Sequence, residues 1–158
     1  MKLSIRAPFA VALSTTVIAT AGLAASHTAS SSNKAVAARH AQMEMISYNT
    51  GLLGSVAKGE MEFNAEMVNS AAANLNALAK MDTATLWIGG TEQGAADGSR
   101  AKPEIWTDAA GFTDKFAMLE KASADMMDAA DVDSVKAGMG AIGESCKACH
   151  EAYRGPKN

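Results

Sequence analysis

Apolar side chains recur at helical spacing in four stretches of the chain. These stretches predict helices over residues 34–56, 63–81, 103–126 and 132–153. Between the second and third helices, residues 89–102 are polar and rich in glycine, and we predict a surface loop there. The fold class that this pattern predicts is all-α, an antiparallel four-helix bundle with one long middle connection.

The fourth predicted helix carries apolar residues at separations that alternate between three and four. These positions are Val132, Val135, Met139, Ile142, Cys146, Cys149 and Tyr153. A stripe of this kind packs against neighbouring helices in a bundle. The two cysteines of the chain therefore lie on the face that is predicted to point into the bundle, and either Asp131 or Asp133 can cap the helix.

The N-terminal residues differ from the rest of the chain. Lys2 and Arg6 precede an apolar stretch that small residues follow, which is the layout of a cleaved signal peptide over residues 1–25. A membrane anchor is the weaker alternative, because the apolar part is short and no basic residues stop it. We expect export to the periplasm, no membrane association after cleavage, a flexible N-terminus at 26–34 and the bundle at 35–158.

Composition and charge reduce the number of function classes that the chain can belong to. The chain of 158 residues is 48% hydrophobic and only 5% aromatic, with three prolines, which favours helices over strands. Loss of Lys2 and Arg6 with the signal peptide would change the formal charge from −3 to −5. An acidic protein is not expected to bind nucleic acid. No catalytic triad, phosphate loop or pair of carboxylates is recognisable, so we expect no enzyme.

The segment Cys146-Lys147-Ala148-Cys149-His150 carries the most chemical information. A structural zinc site needs four ligands, and a thioredoxin-type pair usually begins a helix after a strand. A disulfide between positions i and i+3 of one helix has poor geometry. The spacing C-x-x-C-H is instead typical of haem c, because two thiols on one helical face can add to two vinyl groups and the histidine can ligate the iron. We predict one covalently attached haem c per chain.

The C-terminal "GESCKACHEAYR" occurs together with "RAKPEIW", "KGE" and an arginine early in the first helix. In these motifs the sequence resembles cytochrome c′, the class II cytochromes c, from about residue 35 to residue 157. The resemblance implies an antiparallel four-helix bundle that is often dimeric through its first two helices. A homodimer is therefore expected.

The resemblance also implies roles for residues around the haem. Arg154, one turn after His150, matches a basic residue of the proximal pocket. Arg39 matches an arginine that contacts a haem propionate, and His40 occupies a neighbouring position that can do the same. Ser99 and Arg100 precede "KPEIW", where the loop of the family approaches the haem edge.

Met43 matches the distal position of the family, and two functions follow from it. In typical members an apolar side chain there leaves the iron five-coordinate and high-spin, and the haem binds diatomic gases such as nitric oxide or carbon monoxide. In a low-spin branch resembling cytochrome c-556, a methionine ligates the iron, which would make Met43 and His150 the axial ligands of an electron carrier with a redox protein partner. "RAKPEIW" and Trp87 favour the five-coordinate form, although Trp87 is either a haem-pocket wall or a core aromatic.

Overall fold

A computed structural model describes residues 33–157, and the regular structure of this part of the chain is helical. The helices are α1 (Lys34–Ala57), α2 (Ala65–Ala79), α3 (Glu104–Thr107), α4 (Ala109–Met127) and α5 (Val132–Tyr153). The helix α1 packs against α2 and α5, and α4 packs against the same two helices. The predicted all-α four-helix bundle is confirmed, with α3 as a short additional turn.

The predicted signal peptide at 1–25 lies outside the described residues, as does most of the predicted flexible segment at 26–34. Asn33 and Lys34 already form the start of α1, where the Asn33 side chain accepts a hydrogen bond from the backbone N–H of Ala35 at 3.0 Å. Within residues 33–157, no helix has the length and apolar character that crossing a membrane requires.

Each long helix begins at a polar side chain that accepts a hydrogen bond from a backbone N–H of its first turn. The four caps are Asn33, Asn64, Asp108 and Asp131. At α5 the cap is Asp131 rather than Asp133, and it forms a capping box in which Ser134 accepts a hydrogen bond from the Asp131 backbone N–H at 3.0 Å. These caps fix where the helices start.

The prediction of one continuous third helix was wrong. Pro103 precedes α3, which ends after four residues, and the chain leaves the helical conformation at Asp108 with φ −127° and ψ 56°. The Asp108 carboxylate accepts a hydrogen bond from the Gly111 N–H at 3.2 Å and so starts a new helix, α4. A short polar side chain that binds nearby backbone competes with helix continuation, which explains the break.

Two groups of buried side chains hold the bundle together. The aliphatic core lies where the four long helices meet, and it includes Leu53, Val68, Leu75, Met126, Val135 and Ile142. The aromatic cluster lies towards the start of α4 and the end of α5, and it consists of Ala101, Ile105, Phe112, Phe116 and Tyr153. Along α4 and α5 the two groups therefore occupy opposite ends of the bundle.

The prediction of a surface loop at residues 89–102 was wrong in part, because some side chains of this connection between α2 and α3 are buried. Thr91 and Ser99 are each 2% exposed, and Ala101 is 6% exposed. The Ser99 hydroxyl donates to the Thr91 carbonyl at 2.6 Å, and Ala101 pairs with Arg154 in an isolated bridge. Local hydrogen bonds of this kind satisfy the buried polar groups, so that a polar segment can lie inside the molecule.

Candidate functional site

A cavity of about 760 Å³ lies between α1 and α5. Its volume falls within the range of about 300–1,000 Å³ that is common for small-molecule sites. Apolar side chains from three helices line much of the wall: Val36, Met43, Ile46, Phe112, Phe116 and Met139. The cavity suits a ligand with a large apolar surface.

Two thiols and an imidazole from α5 also line this cavity. Cys146 and Cys149 are half-buried and form no disulfide. Burial raises the pKa of both thiols, that of Cys149 to about 11. Burial, and then the nearby charges of Arg154 and Arg100, lower the pKa of His150. The lowered pKa favours the neutral imidazole at pH 7, and the neutral imidazole is the form that coordinates a metal.

Arg39 lies inside the cavity wall and is only 4% exposed. One Nη atom donates to the Thr91 hydroxyl at 2.5 Å, and the guanidinium lies 4.8 Å from the centre of the Trp87 ring. Burial lowers the pKa of this arginine. A guanidinium so deeply placed is well suited to pair with a carboxylate inside the cavity.

The charged residues of the cavity wall are all basic. Among the described residues that line it, Arg39, Lys58, Arg100 and Arg154 carry positive charge, and none is Asp or Glu. Two polar atoms of the wall, Trp87 Nε1 and Thr50 Oγ1, are buried without a hydrogen-bond partner in the described part of the chain. Because an unpaired buried polar group is costly, these atoms indicate a bound group with polar atoms of its own.

These observations test whether the residues present fit haem c. Haem combines a flat apolar ring with two carboxylates, and it needs two thiols and an axial ligand for attachment and coordination. The cavity supplies an apolar wall, a basic lining, Cys146, Cys149 and a neutral His150. The residues fit the group. Residues 33–157 contain no cluster of three or more His, Cys, Asp or Glu side chains that could hold a metal ion.

All the residues predicted for the site line this one cavity. They are Arg39, His40, Met43, Ser99, Arg100, Cys146, Cys149, His150 and Arg154.

Their surroundings differ. Met43 is half-buried and packs against both the aliphatic core and the aromatic cluster, whereas His40 and Arg154 are exposed. Arg100 donates from Nε to the Gly155 carbonyl at 2.9 Å, so this side chain connects the loop to the residues that follow α5.

Thr91 is a residue of this region that the sequence did not reveal. Its hydroxyl accepts a hydrogen bond from Arg39 and donates one to the Ile88 carbonyl at 2.6 Å, while its carbonyl accepts from Ser99. Thr91 thus connects α1 to the loop. The surrounding glycine-rich sequence carries no periodic signal, so nothing in the pattern distinguished this threonine from solvent-exposed neighbours.

Comparisons with known proteins agree with this geometry. The family model described as Cytochrome C' matches residues 34–154. A relative named cytochrome c-554, from Cereibacter sphaeroides, is 39% identical over 118 residues, which cover 73% of this chain and 89% of the relative. A solved cytochrome c' from Rhodobacter Spheriodes has a TM-score of 0.73 at 33% identity and covers 78% of this chain and 96% of its own.

A second solved structure is a nitric oxide complex of a mutant of cytochrome c prime from Alcaligenes xylosoxidans. It has a TM-score of 0.66 at 33% identity, and the match covers 77% of this chain and 94% of that one.

Proposed function

Because the chain belongs to the cytochrome c′ family and its cofactor is haem c, we propose that it is a periplasmic protein whose haem binds a diatomic gas such as nitric oxide. The bound haem supplies an iron that can take a ligand on each face. The observation that carries the proposal is one cavity of about 760 Å³ that combines Cys146, Cys149 and His150 with a largely apolar wall.

In this proposal the residues of α5 hold the cofactor. Cys146 and Cys149 would form the two thioether bonds, and the neutral imidazole of His150 would be the axial ligand. The positive charge of Arg39, with His40 beside it, would attract the propionates, Arg154 would lie in the proximal pocket, and Ser99 and Arg100 would contact the haem edge. All of these side chains line the cavity, which supports their assignment.

The apolar wall supports gas binding. Val36, Ile46, Phe112 and Phe116 present no hydrogen-bonding side chain to the cavity, so water gains little by entering that part of it. A small uncharged ligand is not penalised in such surroundings. A related cytochrome c prime forms a nitric oxide complex, which is consistent with the same ligand class here.

A second function is electron transfer to a redox protein partner with Met43 as the sixth ligand. One specific observation favours it: Met43 is half-buried and lines the same cavity as His150, so a thioether and an imidazole border one space. A thioether opposite an imidazole is a known axial pair in cytochromes c and raises the reduction potential.

An optical spectrum of the purified ferrous protein, with and without carbon monoxide, tests the first function against the second. We expect a high-spin Soret band that shifts when carbon monoxide is added. A low-spin spectrum with split α and β bands that does not change when carbon monoxide is added would contradict gas binding.

The variant Met43→Leu separates the two functions further, and Met139→Leu is its matched control because Met139 lines the same cavity. If Met43 is not a ligand, both variants keep the wild-type spin state. Conversion from low spin to high spin in Met43→Leu alone would instead support the electron carrier.

A further inference from the structure

The end of α5 that carries the C-x-x-C-H motif is tied to the start of α4 by one side-chain hydrogen bond. The Tyr153 hydroxyl donates to the Asp108 Oδ2 atom at 2.6 Å. Tyr153 follows His150 by three residues and Cys149 by four, so the three side chains share one side of the last turns of α5. The Tyr153 ring is buried and lies edge-on to the Phe112 ring, with 5.3 Å between the ring centres.

Asp108 is fixed independently of Tyr153. It occupies the break between α3 and α4, and its Oδ1 atom accepts the Gly111 N–H that begins α4. One carboxylate therefore defines the start of α4 with one oxygen and restrains the end of α5 with the other. The negative charge also strengthens the bond from the Tyr153 hydroxyl.

Gly111 shows how closely these groups approach each other. A Cβ atom at this position would lie 2.7 Å from the Tyr153 hydroxyl oxygen and would also press against both Asp108 carboxylate oxygens. Any larger residue must displace the hydroxyl or the carboxylate. The arrangement thus requires glycine for space alone, since Gly111 lies in a helix with ordinary helical conformation.

We propose that Tyr153 and Asp108 are a positioning pair that fixes the orientation of His150 at the haem iron. The inference rests on the proposed role of His150 as the axial ligand. The backbone of this turn is also held, because the Lys102 N–H donates to the Tyr153 carbonyl at 3.0 Å, and the Tyr153 ring packs against Phe112. The hydroxyl adds a directional bond to a fixed carboxylate on the face that His150 shares.

The test uses the haem-loaded protein and the variant Tyr153→Phe, which removes only the hydroxyl. There are two further variants. Asp108→Asn weakens the acceptor of the Tyr153 hydroxyl but keeps the cap of α4. Gly111→Ala crowds the Tyr153 hydroxyl and the Asp108 carboxylate. The control is Ser134→Ala, which weakens the capping box at the far end of the same helix. Ser134 precedes His150 by 16 residues, or about 24 Å along the helix.

The readouts are the ferric electron paramagnetic resonance spectrum, which responds to the axial ligand in both spin states, and the midpoint reduction potential. We expect Tyr153→Phe and at least one of the other two variants to shift both readouts, while Ser134→Ala leaves them as in the wild type. Circular dichroism confirms that each protein is folded.

Two results would overturn the inference. In one, the wild-type spectrum shows histidine ligation, and the spectra of Tyr153→Phe and the two other variants are the same as that of the wild type. The other is an equal shift in Ser134→Ala, which would show that general weakening of α5 is sufficient. Wild-type protein that carries no haem would contradict the proposed function itself, so the two failures are distinguishable.

Discussion

The aliphatic core and the wall of the cavity share helices α1, α4 and α5 but are stabilised differently. In the aliphatic core, Leu53, Leu75 and Val135 are fully buried, and packing between helices provides the contacts. Around the cavity of about 760 Å³, buried polar residues such as Arg39 and Thr91 connect α1 to the loop. The core depends on filled volume, and the surroundings of the cavity depend on hydrogen bonds.

The largest effect is expected in the aliphatic core. Leu75 is fully buried in α2, and no residue of α2 is among those that line the cavity. Leu75→Ala should lower the free energy of unfolding by about 2–5 kcal/mol, because the substitution removes buried methyl groups and leaves a void. Urea unfolding measures this loss. The haem spectrum should not change, and an altered spectrum would show that packing in the core also sets the shape of the cavity.

The next effect tests the hydrogen bonds around the cavity. Thr91→Val keeps the shape of the side chain but removes the hydroxyl that accepts from the buried Arg39. Hydrogen bonds to charged groups contribute about 1.5–3 kcal/mol, so we expect a loss of that order in urea unfolding. This variant should also perturb the haem spectrum, since Arg39 lines the cavity.

Thr113→Val is the matched control for Thr91→Val. Thr113 is an exposed threonine of α4 that binds only the Ala109 carbonyl, four residues earlier. Surface substitutions usually change stability by less than about 0.5 kcal/mol. Equal losses in the two variants would show that the Thr91 hydroxyl has no special role.

The contrast between the core and the surroundings of the cavity also explains what the sequence could predict. The three-four spacing from Val132 to Tyr153 predicted α5 with its observed bounds, because residues at that spacing must share a buried face. The C-x-x-C-H spacing predicted the cofactor for a similar reason, since its chemistry is local to one helical turn.

Features that depend on distant partners were not predictable. The hydrogen bond between Tyr153 and Asp108 joins residues 45 positions apart, and the hydrogen bond between Arg39 and Thr91 joins residues 52 positions apart. Neither contact produces a regular spacing of residues in the sequence. Composition was misleading at the loop, because residues 89–102 are polar and yet contribute buried side chains.

A smaller effect is expected at the start of α2, away from the cavity. The Asn64 side chain accepts the Met67 N–H at 2.8 Å. Asn64→Ala should cost about 1 kcal/mol of unfolding free energy, because one N–H of the first turn loses its partner. Asn64→Ser should restore most of this stability. A change in the haem spectrum of either variant would contradict the expectation that this cap affects stability alone.

The smallest effect is a pH dependence at the start of α5, where Asp131 caps the helix. Hydrogen bonds from the Ser134 hydroxyl and backbone N–H lower the pKa of Asp131 below its ordinary value of 3.8. Since the folded-state pKa lies below the unfolded one, the carboxylate stabilises the protein above pH 3.8, and this contribution disappears as the pH falls through the folded-state value.

The variant Asp131→Asn tests this, because it keeps a cap acceptor that does not titrate. The difference in unfolding free energy between wild type and Asp131→Asn should therefore shift against the wild type as the pH falls from about 3.8 towards the folded-state pKa of Asp131. A difference that stays constant with pH would show that the Asp131 carboxylate contributes as a hydrogen-bond acceptor alone.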